Sequence, residues 1–363
     1  MGKKSKKANS KQNKKVDSLP FVSICTPTFN RRPFFKGLVQ CIAEQDYEHS
    51  KIEWVVVDDG TDSVRDILES DEVKEKLKGI TIQYYYEAEK MDLGQKRNYM
   101  HKRCTYHNTN DIIVYMDDDD FYPPERVSHS VKKLMANPNV LCGGASELYL
   151  WFNTLDKMYK FGPYGPNHAT AGTFAFKKKL LDHTSYEDSA VLAEEKHFLK
   201  NYTVPFVQFD THKTILVVSH EQNTFDKKKL LHSNNKFVKE SPLRVKNFIQ
   251  NPELMQFYHH DINELLKDYT PGDVKNKPKV LAEIKRRDEE RKQMQDNRPS
   301  GIIVTKDGDS TPHELTIKEV KAYMSHKTQE SLFLKNKLEE LMKENERLKK
   351  VIESHTALKT EVL

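Results

Sequence analysis

Three short apolar runs constrain this chain most, because each stops on a chemically distinctive pattern at its carboxyl end. FVSICTP (21–27) ends at Pro27-Thr28, IEWVVVDDG (52–60) ends on Asp58, Asp59 and Gly60, and DIIVYM (111–116) runs straight into Asp117, Asp118, Asp119 and Asp120. Apolar runs of this length, bounded by turn residues, read as buried strands. Residues 33–46, 64–79 and 94–107 have helical spacing, and ITIQYYY (80–86) adds another strand. Strands alternating with helices predict an α/β layer on a mainly parallel sheet flanked by helices. In such sheets ligands bind beyond the carboxyl ends of the strands, where these acids fall. Further strand-like pieces at 171–176, 203–209 and 214–218 extend the expected core domain over 19–235.

Beyond that domain the texture changes. Residues 236–312 read as a charged, mostly helical extension, and 313–363 as a last helix. In that helix Leu334, Leu338, Leu341, Asn345, Leu348 and Ile352 repeat at alternating spacings of four and three, a heptad seam with Asn345 at an a position. A buried Asn there favours paired strands in register, so the seam predicts a homodimer through 331–355; packing on its own domain is the alternative. The net charge of +5 belongs to the tail: residues 1–18 hold seven lysines and one aspartate, which leaves the rest at −1. That tail reads as a basic disordered arm. The near-neutral remainder, without a basic face interleaved with aromatics, argues against a specific nucleic-acid partner. No run approaches the ~18 apolar residues that cross a bilayer, and the lysine-rich start lacks the apolar segment of a secretory signal. A cytoplasmic location is the default expectation. Cys25, Cys41, Cys104 and Cys142 are scattered without metal-site spacing, which suits reduced core residues.

Four consecutive carboxylates at a strand end raise one another's pKa unless a cation sits among them. An oxygen-rich cluster suits Mg2+ or Mn2+, with phosphate oxygens completing the shell; the alternative is a solvated acidic loop. Asp58 and Asp59 suit recognition of a nucleobase or ribose hydroxyls. Capping of the next helix is the alternative, although Asp62 or Ser63 could serve there. Lys96 and Arg97, in LGQKRN (93–98), could neutralise a diphosphate.

In this order, VSICTPTFNR (22–31), IEWVVVDDGT (52–61), LGQKRN (93–98), IIVYMDDDDFYPPERV (112–127), LAEEKHFL (192–199) and SHEQNTF (219–225) resemble the inverting glycosyltransferases of family 2. The resemblance covers about 21–230 and implies the GT-A nucleotide-diphospho-sugar transferase fold, here with a mostly helical C-terminal extension. It implies transfer of a hexose from a nucleotide-diphosphate donor, UDP-sugar favoured, to a hydroxyl of a glycan or protein acceptor, with Mn2+ or Mg2+. Thr28, Asp58 and the adjacent Asp59 match the family's nucleoside-contacting positions. Asp117 and Asp119 match the outer carboxylates of its DxD motif, the last on the metal and the first on the sugar or ribose, with Asp118 between them. His220 falls where some relatives place a metal or phosphate ligand. The family's catalytic carboxylate, usually the Asp of an ED pair, is matched by Glu194 or Glu195, and this Glu-for-Asp departure leaves the identity of the base open. Gly172 would let the acceptor-side wall approach the sugar. A nucleotidyltransferase is disfavoured because TPTFNRRP (26–33) lacks the glycines of a phosphate loop. A non-catalytic coiled-coil adaptor with a degenerate nucleotide-binding domain is the other alternative.

Overall fold

The computed structural model describes residues 19–223, 227, 237–296, 302–304 and 313–360. The lysine tail 1–18, and Thr224 and Phe225 of the SHEQNTF stretch, lie outside the described residues. The chain divides into two compact units, one ending at Arg286 and the other beginning at Arg287.

Eleven described strands belong to the first unit: β1 (Val22–Thr28), β2 (Ile52–Asp58), β3 (Thr81–Tyr86), β4 (Ile112–Tyr115), β5 (Cys142–Gly144), β6 (Leu148–Phe152), β7 (Lys157–Phe161), β8 (Ala175–Lys177), β9 (Phe206–Gln208), β10 (Leu216–Ser219) and β11 (Val238–Glu240). Seven form one sheet in the order β3-β2-β1-β4-β8-β5-β9. The β3-β2-β1-β4 half is parallel throughout, and β8 runs antiparallel to both of its neighbours. All seven residues of β2 are buried, the signature of a parallel strand covered on both faces. Alternation sends Ile24, Trp54, Val56 and Val114 into one core layer, and Cys25, Val55, Val57, Ile113 and Tyr115 into the other. Register sets the functional rim: Thr28 pairs with Asp58, and Cys25 with Tyr115. The chain leaving β4 therefore delivers its acids beside the end of β1.

The helices are α1 (Phe35–Ala43), α2 (Arg65–Glu69), α3 (Asp71–Lys76), α4 (Leu93–Arg103), α5 (Arg126–Ala136), α6 (Glu195–Phe198), α7 (Pro252–Gln256), α8 (Ile262–Lys267), α9 (Pro278–Asp296) and α10 (Ile317–Thr360). The helix expected over 64–79 is two. Ser70 takes an extended conformation between α2 and α3 and its side chain accepts from the Val73 N–H, the competition with helix that serine offers. The strand expected over 171–176 starts as a 3₁₀ turn at Ala171–Thr173, and only β8 is extended. The β6–β7 hairpin and α5 were not anticipated. β10, β6, β7 and β11 form a second, four-stranded sheet.

The apolar core does not stop at 235. Val245, Phe248, Ile249, Leu254, Phe257, Tyr258, Ile262 and Leu266 join the cluster that contains Val22 and Trp54, so 245–266 is core and not a solvated extension. In the second unit, β12 (Ile302–Val304) pairs antiparallel with β13 (His313–Leu315), and α10 follows. No described helix is long and apolar enough to cross a membrane.

One buried group on α4 ties this packing to pH. His101 is buried, with Nε2 2.7 Å from the Tyr115 hydroxyl. Burial, reinforced by the nearby Arg97 charge, pushes its imidazole down to about 3. The unfolded chain takes up this proton near 6.5 and the folded chain only near 3, so the contribution is intact above pH 6.5 and lost as pH falls below it, by ~1.4 kcal/mol per unit. The thermal midpoint should therefore drop between pH 7 and pH 5. His101→Gln should flatten that dependence; an unchanged pH profile in the variant would rule His101 out as its source.

Candidate active site

The four aspartates after β4 are each met by a different partner. Asp117 receives Arg97 Nη2 at 3.5 Å, and its own N–H points at the Tyr122 hydroxyl. Asp118 lies 3.9 Å from Arg31 Nε. Asp119 lies 3.1 Å from His220 Nε2 and 3.7 Å from Arg31 Nη2. Asp120 turns inward and accepts the Val218 N–H at 3.0 Å. Burial raises the pKa of Asp117, and burial followed by the Asp119 charge raises Asp118 to about 7 and Asp120 to about 8. Burial would raise Asp119 too, but the His220 hydrogen bond and the Arg31 charge outweigh it and hold that carboxyl well below the usual range. The cluster is therefore graded: Asp119 is the firm anion, flanked by acids that hold protons more readily.

Arg126 fixes this rim from behind. Fully buried at the start of α5, it donates to the carbonyls of Tyr115 and Phe174 at 3.0 and 2.9 Å and to Ser130 Oγ at 3.0 Å. It thus ties the end of β4 to the 171–173 turn. Gly172 in that turn faces Asp117: a Cβ built there would stand 2.7 Å from Asp117 Oδ2. The glycine makes room for this carboxylate.

At the end of β2 the two acids divide their work. Asp58 accepts the N–H groups of Gly60 and Val64 at 2.9 and 3.1 Å and the Tyr84 hydroxyl at 2.8 Å. The duty at the entry to α2 is shared: Asp58 holds the Val64 N–H, and Ser63, one of the two residues expected there, accepts the Arg65 N–H on its Oγ at 3.2 Å. Asp59 pairs with the buried Lys96 ammonium and accepts the Met91 N–H at 2.7 Å. Lys96 Nζ also donates to the Thr28 carbonyl at 2.7 Å. These bonds lash the start of α4 to the ends of β1 and β2. The Thr28 hydroxyl is buried beside them without a partner.

Arg97, one residue on, bridges two acids. Its Nε donates to Glu194 Oε1 at 2.9 Å, and its guanidinium lies 4.3 Å from the centre of the Tyr115 ring. Glu194 is buried at the entry to α6, and Glu195, the first residue of that helix, is half-buried. The rim thus gathers Thr28, Asp58, Asp59, Lys96, Arg97, Asp117, Asp118, Asp119, Glu194 and His220, with Glu195 following Glu194 at the start of α6. Sequence reasoning missed Arg31, Lys90 and Lys277. Arg31 stands inside the quoted VSICTPTFNR stretch, and its position directly after the β1 end was the available signal; Lys90 and Lys277 carry no local signal at all.

His220 can be tested as a metal ligand. Its Nε2 lies 2.7 Å from Asn223 Nδ2 as well as 3.1 Å from Asp119 Oδ2, while its Nδ1 is buried without a partner. Protonated at Nε2, the ring meets the Asn223 amide donor to donor. Protonated at Nδ1, the ring has one lone pair, at Nε2, and it lies toward both the Asn223 amide and the Asp119 carboxylate, so a cation beside Asp119 would take it in competition with Asn223. Among the described residues no three His, Cys, Asp or Glu side chains form a closed metal cage. The pair therefore fits an open site whose remaining ligands come from phosphate and water, as suits Mg2+ or Mn2+.

Comparison with known proteins bears on part of this geometry. Residues 23–187 match the profile of glycosyl transferase family 2. No curated protein sequence matches the chain. Among solved structures, S. aureus TarS 1–349, in complex with UDP-GlcNAc, is similar at 16% identity and a TM-score of 0.40, over 55% of this chain and 59% of that one. The mannosyltransferase PcManGT from Pyrobaculum calidifontis, in complex with GDP-Man and Mn2+, is similar at 17% identity and a TM-score of 0.44, over 72% of this chain and 74% of that one. The chain thus spans less than two thirds of the TarS fragment it matches. The segment 23–187, which holds β1 from Ser23 on, β2 to β4, Asp58, Asp59, Lys96, Arg97 and Asp117 to Asp120, is thus similar to glycosyl transferase family 2.

Proposed function

We propose that the protein is a metal-dependent, inverting glycosyltransferase that takes its sugar from a nucleotide-diphosphate donor, UDP-linked in preference, and passes it to a hydroxyl of a glycan or protein. The observation that carries this reading is the convergence at one sheet rim of Asp117, Asp119 and His220 with Lys96, Arg97 and Glu194. Asp119 and His220 would hold a Mg2+ or Mn2+ ion, with Asp117 beside it; when bound, the ion neutralises charge on the donor diphosphate. Thr28, Asp58 and Asp59 form the nucleoside end, Asp118 lines the same edge, and Arg97 and Lys96 supply fixed positive charge toward the phosphates. The acceptor oxygen bonds to the anomeric carbon from the face opposite the diphosphate. The bond to the diphosphate oxygen breaks with its electron pair, and the acceptor proton passes to one carboxylate of the Glu194–Glu195 pair. A single displacement inverts the anomeric centre. Glu194 touches the Arg97–Asp117 group directly, whereas Glu195 begins α6.

The decisive measurement is a donor screen that reads released UDP against released GDP with each metal, alongside calorimetric nucleotide binding. Asp119→Ala should lose both metal-dependent transfer and donor binding. Glu194→Gln or Glu195→Gln should keep donor binding and slow turnover ~10²–10⁴-fold, the usual worth of a general base. Normal turnover in both Gln variants would remove the pair from the mechanism.

The heptad seam of α10 supports pairing with a second copy of the chain. Leu334, Leu338, Leu341 and Leu348 are exposed along the helix. In a parallel, in-register pair, Glu330 at a g position faces Lys335 of the other copy, and Glu344 faces Lys349. An antiparallel pair would instead bring Lys335 against Lys349. Parallel pairing is thus the favoured arrangement. Asn345→Cys in the full chain should give a disulfide-linked dimer on mild oxidation. A variant that stays monomeric by sedimentation and uncrosslinked would overturn the pairing.

A further inference from the structure

Residues 269–280 lie outside the family-matched segment and form a strap across the nucleoside end of the site. One end is pinned by the Tyr269 hydroxyl donating to Asp62 Oδ2 at 2.8 Å and by Asn30 Nδ2 donating to the Pro271 carbonyl at 3.0 Å. The other end is held by Lys279 Nζ, 3.0 Å from both oxygens of Asp92. Gly272 permits the close approach: a Cβ there would stand 2.0 Å from Gln222 Oε1 and 3.0 Å from the Asn30 carbonyl. Asn276 Nδ2 braces the turn by donating to the carbonyls of Thr270 and Pro271 at 3.0 and 2.9 Å.

Beneath the strap is a cavity of about 350 Å3 whose lining includes Phe29, Lys90, Lys96, Leu192 and Lys277. Phe29 directly follows Thr28 at the end of β1. The ammonium groups of Lys90, Lys277 and Lys96 lie 3.3, 5.9 and 6.0 Å from the centre of its ring. Three cations around one aromatic ring, Lys96 and Lys277 buried and Lys90 exposed, repel one another, and a ring face returns only ~0.5–2 kcal/mol to a cation. Burial, and then the Arg31 charge, push the Lys277 ammonium down to about 7, with Asp118 and Asp119 pulling the other way. Lys277 therefore feels the two acids that Arg31 also faces, from the wall of the cavity that holds Phe29, Lys90 and Lys96.

We propose that Lys277 is a donor-positioning residue, carried in by the strap to hold the diphosphate of the nucleotide sugar together with Lys90 and Lys96. This rests on the nucleotide-sugar reading given above. A purely structural role, stapling the strap to the acidic rim, is the competing explanation; the strap already has its own anchors at Asp62, Asn30 and Asp92, so the staple is redundant. A structural lysine would affect all nucleotides alike through stability, whereas a phosphate-positioning lysine discriminates by phosphate number.

The experiment is calorimetric titration of UDP, GDP, UMP and GMP, with Mn2+, into the full-length wild type and the Lys277→Met and Lys277→Arg variants, with thermal midpoints recorded in parallel. For whichever diphosphate the wild type binds, Lys277→Met should weaken affinity about tenfold or more, the usual weight of a charge-assisted contact. It should weaken the matching monophosphate by clearly less, and Lys277→Arg should recover most of the loss. Equal affinity in Lys277→Met and wild type would overturn the inference. So would parallel losses for mono- and diphosphate accompanied by a lowered midpoint in the absence of nucleotide. If the wild type binds neither diphosphate, the donor reading falls and takes this inference with it; binding by the wild type isolates the test to Lys277.

Discussion

Four carboxylates in a row at the end of a buried strand are the constraint around which this protein is arranged. Placed together in a medium of low polarity, they cannot all ionise without compensation. The fold supplies it from widely separated parts of the chain: Arg31 after β1, Arg97 from α4, His220 after β10, and the Val218 N–H within β10. None of these partners is local in sequence to the aspartates. The acidic rim is therefore tolerable only when the sheet, α4 and the β10 region are all in place, and losing one buried partner would cost several kcal/mol by leaving a charge unpaired. Arg126 has a related but separate task. It satisfies backbone carbonyls of Tyr115 and Phe174 at the mouth of the sheet, where the β4 ladder has run out of strand partners.

The same logic explains which parts of the site were legible in the sequence. The strand ends were, because a parallel strand buried on both faces leaves an unbroken apolar run, and its last residue is marked by the first acid or proline. The register that sets Thr28 opposite Asp58 follows from parallel pairing of β1 and β2. The hairpin of β6 and β7 was hidden, since ELYLWFNTLDKMYKF mixes aromatics and polar residues without clean alternation, and the turn at Asp156 relies on a left-handed backbone (φ 46°) in place of the glycine that would have announced it. The hold of Asp58 on the loop after β2 was hidden because helix capping reads as a local act. Its carboxylate reaches six residues forward to the Val64 N–H and across the sheet to Tyr84, neither of which spacing alone could show. The boundary at 235 missed this segment because the strongly charged stretch that follows dominates the texture, while 245–266 itself holds only four charged residues and most of its apolar members, Leu265 excepted, join the core.

Lys277 is the extreme case of illegibility. A lysine in GDVKNKPKV has no distinguishing neighbours, and only the fold brings it against Phe29, Lys90 and the field of Asp118 and Asp119. His220, Glu194 and the strap all lie beyond residue 187, so the strand ends inside the matched segment form only the floor of the rim. The walls come from later chain.

That division bears on how donor and cation would enter. Asp58, Asp59, Asp117, Asp118, Asp119 and Glu194 give the rim six carboxyl groups, against five cationic side chains in Arg31, Lys90, Lys96, Arg97 and Lys277. A rim so nearly balanced has little net attraction for a free diphosphate, whose charge would overload the lysine side, or for a free divalent ion, whose charge would be felt by Arg31 close to Asp119. A sugar diphosphate and a divalent ion arriving as a pair disturb the balance least, because their charges largely cancel and each meets the half of the rim that suits it. Under the function proposed here, donor and metal affinity are then one linked quantity, and the lysines gathered around Phe29 together with the Asp119–His220 pair are what orient the two.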